Sequence, residues 1–281
     1  MNPLLRAARG SRMPALFLDY DGTLVPLRPV PGQARLTSGR REILRRLAER
    51  FPVAIVSGRS LDDLTSLVGL PDLLLAGNHG LEILLGGARW VHPEAARARP
   101  ALETLLGNVR PALSAIPGIL IEDKGLTLSV HYRLSPLGSG VKIGRLLRRH
   151  LAGQKKGLVL IKGKKVYEIR PPGVWNKGSA ALRILRIAVP AGSLPIYIGD
   201  DRTDEDAFRA LAPIGLTARV GRRRRTAAQF RLAGIGTVWS VLRGLLEIPL
   251  SITEAEKTML PEDPGGLKKS GARTRRKSGR I

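Results

Sequence analysis

The sequence predicts an α/β fold, a parallel sheet covered by helices, with a smaller and mostly antiparallel α+β domain inserted into it. Three observations predict it. Short apolar runs alternate with amphipathic helical patterns at both ends of the chain, the arrangement of parallel strands joined by helical crossovers. The middle of the chain switches to a period of two, which suits a sheet packed on one face. Two of the apolar runs end in clusters of aspartate, and strand ends are where open α/β sheets bind ligands.

In chain order, the first buried strand is ALFLDY, from Ala15. A crossover helix follows in LTSGRREILRRLAER, where Leu36, Ile43, Leu44 and Leu47 form an apolar stripe among charged residues. VAIVS, from Val53, and LLLAG, from Leu73, are further buried strands. Between them Ser60, with Asp63 three positions on, caps another helix. From Gly125 onward Leu126, Leu128, Val130 and Tyr132 alternate with Thr127, Ser129, His131 and Arg133. A helix over Val141 to Leu151, then a hairpin of LVLIKG and KKVYEI turned at Gly-Lys, complete an inserted domain at residues 96–170. PIYIGD, from Pro195, returns to the parallel sheet. The larger domain is therefore expected over residues 1–95 and 171–250, followed by a basic, disordered tail at residues 251–281.

Composition narrows the chemistry. The 281 residues are 43% hydrophobic but contain no apolar run of membrane-spanning length, and carboxylates interrupt the N-terminal run PALFLDY before it could serve as an export signal. A soluble, cytoplasmic protein is expected. With no cysteine, disulfides, thiol nucleophiles and thiolate metal sites are excluded. The four histidines, at 79, 92, 131 and 150, lack the helical spacing of a zinc site, so a hard cation on oxygen ligands is the better expectation. The net charge of +24, from 47 basic and 23 acidic residues, attracts anions. Blocks such as Arg222 to Arg225 and the tail GLKKSGARTRRKSGRI read as solvated segments that touch nucleic acid only non-specifically. Nothing in the composition speaks to oligomeric state.

In LFLDYDGTL a strand ends in Asp19 and Asp21, whose i, i+2 spacing lets both carboxylates point into one crevice, and Gly22 allows a sharp turn. Alone, an Asp-Gly pair after a strand is also an ordinary turn. In YIGDDRTDEDAF a second strand ends in Asp200 and Asp201, with Asp204, Glu205 and Asp206 beyond. So many acids at one strand end repel each other unless a cation such as Mg2+ sits among them. An acidic first turn that complements the helix dipole explains Glu205 and Asp206 but not Asp200.

The first motif resembles that of the haloacid dehalogenase-like phosphatases. The resemblance implies that Asp19 is the nucleophile toward phosphorus and Asp21 the general acid and base. It also implies that the Asp19 carboxylate, the Asp21 carbonyl and the Asp200 carboxylate bind Mg2+, with Asp201 and Asp204 orienting the groups around it. Ser57 and Gly58, in the turn VSGRS, and Lys177, at the helix start in NKGSA, complete the pattern as phosphate-binding and charge-offsetting groups. Neither turn is informative alone; the argument rests on four elements in the family's order at strand ends and helix starts.

LAGNHGLEI, IEDKGLTLSVHYR, KVYEIRPPGVWNKGSA and YIGDDRTDEDAF, with LDYDGTL, are similar to stretches of the trehalose-phosphate phosphatases and span most of residues 15–210. That similarity implies a Rossmann-like core whose inserted domain is a cap, or lid, over a sugar phosphate. Asn78, His79 and Gly80 on the core, and Glu122, Lys124, Arg133 and Glu168 on the cap, would grip the sugar. It also implies a stand-alone phosphatase, since no sugar-transferring segment is evident. Phosphatases of sucrose phosphate or mannosyl-3-phosphoglycerate are the alternatives within the chemistry, and a basic nucleic-acid-binding protein is the alternative outside it. Aromatic residues at 4% and the absence of an aromatic-interleaved basic stripe weigh against the last.

Overall fold

The computed structural model describes residues 2–10, 12–28, 30–152, 157–173, 175–222 and 225–248. The elements run α1 (Pro3–Ala7), β1 (Pro14–Leu18), α2 (Ser38–Ala48), β2 (Val53–Val56), α3 (Leu61–Val68), β3 (Leu74–Gly77), β4 (Glu82–Leu85) and β5 (Ala88–Val91). There follow α4 (Pro93–Ser114), β6 (Leu120–Asp123), β7 (Leu128–His131), α5 (Ser139–Ala152), β8 (Val159–Lys162) and β9 (Val166–Arg170). The chain ends through α6 (Lys177–Ala188), β10 (Leu194–Gly199), α7 (Asp204–Leu211), β11 (Leu216–Val220), β12 (Phe230–Leu232) and α8 (Ile235–Leu246). Met1–Ile248 is one compact unit. The tail expected at residues 251–281 lies outside the described residues.

The larger sheet has the order β12-β11-β10-β1-β2-β3-β4-β5, parallel from β12 to β3 and antiparallel beyond. Its central strands are buried on both faces, which is why they read as unbroken apolar runs. Leu16, Leu18, Ile55 and Ile198 pack on one side with Leu44, Leu64 and Leu242. Ala15, Phe17, Val56 and Tyr197, one residue out of step, pack on the other with Ala180, Ile184 and Phe208. β1 lies at the point where connections diverge to β2 on one side and β10 on the other, so a crevice opens beyond its C-terminal end.

The chain leaves this sheet between β5 and α4 and returns between β9 and α6. The segment between builds a four-stranded antiparallel sheet, β6-β7-β9-β8, with α4 and α5 packed on one face through Leu105, Val109, Ile143, Leu147, Val130 and Ile169. The hairpin of β8 and β9 forms as expected, with Lys165 in the left-handed region at its turn. The apolar residues expected on one face of β7, Leu128 and Val130, do pack against the helices. The polar face is not solvated: Thr127 and Ser129 are buried at 1% and 2% exposure, Thr127 against Asn78, just beyond β3 of the larger sheet, and Ser129 between Glu122 and Glu168. The hairpin of β4 and β5, turned at Gly86-Gly87, and the run of α4 through Pro100 and Pro111 are further features not anticipated. No helix among the described residues is long and apolar enough to cross a membrane.

Candidate active site

Asp19 follows the last residue of β1, with its amide still in the ladder to Ile198. The adjacent strand β10 ends at Gly199 and delivers Asp200 beside it. Lys177, the first residue of α6, enters from below: its Nζ donates to Asp19 Oδ1 at 2.6 Å and to Asp204 Oδ1 at 2.8 Å. Asp204 also accepts from the Tyr197 hydroxyl at 2.9 Å and from the Asp201 amide at 2.8 Å. Asn176 starts α6 cleanly by accepting from the Ser179 amide, which fixes where Lys177 emerges. Gly22 has φ +87°, and a Cβ there would overlap the Asp200 carboxylate, so only glycine lets that side chain lie against the β1 loop.

Asp19, Asp200 and Asp204 each place a carboxylate oxygen within 4.8 Å of the others. Burial, together with the charges on Asp204 and Asp200, pushes Asp19 well above the usual carboxylate range against the opposing pull of Lys177. Burial and Asp204 push Asp200 up to about 7. Burial works against the Lys177 ammonium as well, but the charges of Asp19 and Asp204 outweigh it and raise its pKa. Asp19 Oδ2 and Asp200 Oδ1 are buried and have no hydrogen-bond partner. Two crowded carboxylates that resist ionisation and turn partnerless oxygens into the same space fit a hard cation. Asp204 does not share this character, because both its oxygens are taken by Lys177, Tyr197 and the Asp201 amide; it positions the others.

Asp21 points elsewhere. Arg59, from the turn after β2, grips its carboxylate with Nε to Oδ2 at 2.6 Å and Nη2 to Oδ1 at 2.7 Å, and the guanidinium lies over the Tyr20 ring. Ser57 sits at the end of β2 with its amide already bonded to Ala76 O, so its hydroxyl and the Gly58 amide are the groups left to face an anion. The hydroxyl accepts from the Arg59 amide at 3.2 Å.

The loop after β3 is strained: Asn78 and His79 both have positive φ, at 49° and 57°. Contacts from both sheets hold it. Asn78 donates to Glu82 Oε1 at 2.6 Å and to Lys124 O at 3.0 Å, and accepts from Thr127 Oγ1 at 2.6 Å. Gly80 O accepts from Trp175 Nε1 at 2.7 Å. His79 Nε2 lies 3.2 Å from Glu168 Oε2, and Lys124 Nζ donates to Gly58 O at 2.9 Å. The smaller sheet thus meets the crevice through the row Glu122, Ser129 and Glu168, which strand register sets side by side. Burial opposes ionisation of Glu168, yet His79 lowers its pKa to about 2. Burial likewise opposes Glu122, and the His131 hydrogen bond and Lys124 outweigh it. His79 Nδ1 and Glu168 Oε1 are buried without partners. Arg133 does not join this row: it lies beyond the end of β7 and is exposed.

A crevice of carboxylates is thus backed by a buried lysine and roofed by a polar sheet. The trehalose-phosphatase family model matches residues 17–234. The chain belongs to the trehalose-phosphatase family. A trehalose-phosphate phosphatase of Mycobacterium tuberculosis is 37% identical over 255 residues, 86% of this chain and 65% of that protein. The chain thus spans about two thirds of that relative's length. The C-terminal domain of a trehalose-6-phosphate phosphatase from C. albicans superposes with a TM-score of 0.73 at 25% identity, covering 88% of this chain and 96% of that one. A haloacid dehalogenase-like hydrolase from Bacteroides thetaiotaomicron shares the fold, at TM-score 0.58 and 16% identity over 83% of this chain and 99% of that one.

For a member of the trehalose-phosphatase family, the aspartates, Ser57 and the loop at Asn78 were visible in the sequence as strand-end motifs, and Lys177 as a helix start. Arg59 stood in the turn VSGRS, but nothing local marked it as the partner of Asp21. Tyr197, read as core, spends its hydroxyl on Asp204. Thr127 and Trp175 tie the Asn78 loop from elements some fifty and a hundred residues away, which no motif spacing reports.

Proposed function

We propose that the chain is a Mg2+-dependent phosphatase that hydrolyses trehalose 6-phosphate to trehalose and phosphate, in trehalose biosynthesis, through an aspartyl-phosphate intermediate. The observation that carries the reading is the division between the two oxygens of Asp19. Lys177 holds one at 2.6 Å, and the other is buried with no partner. A carboxylate so fixed presents one oxygen for attack on phosphorus. The Asp19 and Asp200 carboxylates, with the Asp21 backbone carbonyl, would hold Mg2+, which when bound offsets the charge of the carboxylates and of the phosphoryl group.

Asp19 forms the bond to phosphorus as the bond to the sugar oxygen breaks, and Asp21 gives that oxygen a proton. Asp21, now a carboxylate, then takes a proton from the water that attacks phosphorus and frees Asp19. Arg59 occupies both oxygens of Asp21, so proton delivery requires the pair to part. Ser57, Gly58 and Lys177 surround the phosphoryl oxygens. The residues over 96–170 act as the cap. Glu122, Lys124, Glu168 and His79 take the sugar hydroxyls, and the partnerless atoms of Glu168 and His79 support this assignment. Asn78 and Gly80, whose polar groups are occupied by Glu82, Thr127, Lys124 and Trp175, shape the floor beneath the sugar.

The test is phosphate release from trehalose 6-phosphate, sucrose 6-phosphate, mannosyl-3-phosphoglycerate and glucose 6-phosphate, each with Mg2+ and with excess chelator. The expected result is Mg2+-dependent release strongly favouring trehalose 6-phosphate. Equal release across the panel would remove the substrate from the proposal, and release unaffected by chelator would remove the metal.

A further inference from the structure

The carboxylate of Asp200 has a buried oxygen with no partner, yet it has to be aimed. Its backbone supplies the aim, because the peptide unit joining Asp200 to Asp201 is gripped at both ends. The N–H end donates to Asp204 Oδ2 at 2.8 Å. The C=O end accepts from Arg219 Nη2. Arg219 lies on β11 in register with Gly199, the last residue of β10, so the parallel pairing of these strands brings its guanidinium under the loop. Its Nη1 also donates to Asp201 O at 3.1 Å and to Glu205 Oε1 at 2.7 Å. Glu205 is fixed in turn by the Ala227 amide, which donates to its Oε2 at 2.8 Å. Arg219 is buried at 3% exposure and Glu205 at 9%.

We infer that Arg219 is a positioning residue for the cation site. By pinning the carbonyls of Asp200 and Asp201 it fixes the backbone torsions from which the Asp200 carboxylate projects. Glu205 neutralises the guanidinium, so that its charge does not oppose a cation beyond the loop. The planar fork matters, since three oxygens from three residues are met by two nitrogens of one group, which an ammonium cannot reproduce. Outer partners of metal ligands commonly control affinity by about 10- to 100-fold.

The inference rests on the reading of Asp19 and Asp200 as Mg2+ ligands, and titration calorimetry with Mg2+ alone separates the two. Wild type that takes up no Mg2+ defeats the reading and the inference together. With binding in wild type, Arg219→Met is expected to weaken Mg2+ affinity about 10- to 100-fold and Arg219→Lys by an intermediate factor. Thermal unfolding without Mg2+ reads the structural cost separately. A role confined to packing would lower the melting temperature of the Arg219 variants and leave Mg2+ affinity at the wild-type value, which overturns the inference. If Arg219→Met fails to fold, Arg219→Lys decides: Mg2+ affinity within about twofold of wild type contradicts the claim.

Discussion

Asp200 holds its proton up to about pH 7 because burial and Asp204 resist its ionisation, and this has a consequence for stability. In the unfolded chain an aspartate ionises near the usual value of about 4. Between these limits the folded chain binds the extra proton, so without metal its stability falls as pH rises through that window. Mg2+ binds the ionised carboxylates and therefore competes with the proton. The rise in melting temperature on adding Mg2+ should be small at about pH 5 and grow as pH rises through about 7. Differential scanning calorimetry over a pH series with Mg2+ or chelator measures it; a rise that does not change with pH would contradict the assignment of Asp200. The acid and its neighbours were legible in YIGDDRTDEDAF. Arg219 was not, because a lone arginine in an apolar strand gives no sign that parallel pairing will set it beneath that motif.

At the scale of elements, β6, β7 and β9 bring Glu122, Ser129 and Glu168 into one row above the loop after β3. A hydrogen bond to a charged group contributes about 1.5–3 kcal/mol, so Glu122→Ala and Glu168→Ala should each lower kcat/KM for trehalose 6-phosphate by about tenfold or more. Turnover of p-nitrophenyl phosphate, which lacks the sugar, should change by less than about threefold. A comparable loss on both substrates would assign these residues to cap folding instead of sugar recognition. The period of two from Leu126 to Tyr132 correctly marked β7, but periodicity reports two faces without saying what covers each. The alternation therefore gives no sign that Thr127 and Ser129, on the polar face, are buried too. Arg133 belonged to the same alternation in the sequence, yet the strand ends at His131 and leaves it outside the row. The β4–β5 hairpin was missed for a different reason: its strands are only four residues each, and of them the motif LAGNHGLEI takes in only Glu82 and Ile83.

Across the molecule, the parallel strands and their helices were readable because both faces of the sheet are buried and each run is apolar throughout. The charge was harder to place. Of the 47 basic residues only eight, and of the 23 acidic residues only four, lie beyond residue 248, so most of the +24 belongs to the chain before it, where it can draw in phosphorylated substrates. The central claim is that Asp19 carries the phosphoryl group, and the most direct measurement is peptide mass spectrometry of the Asp21→Asn variant after incubation with Mg2+ and p-nitrophenyl phosphate. Nitrophenolate leaves without a proton, so the intermediate forms, and the missing base slows its hydrolysis. The account predicts a phosphate on the peptide containing Asp19, absent when Asp19→Asn is added. Hydrolysis that proceeds at the wild-type rate in Asp19→Asn, or a phosphate held on another residue, would contradict it.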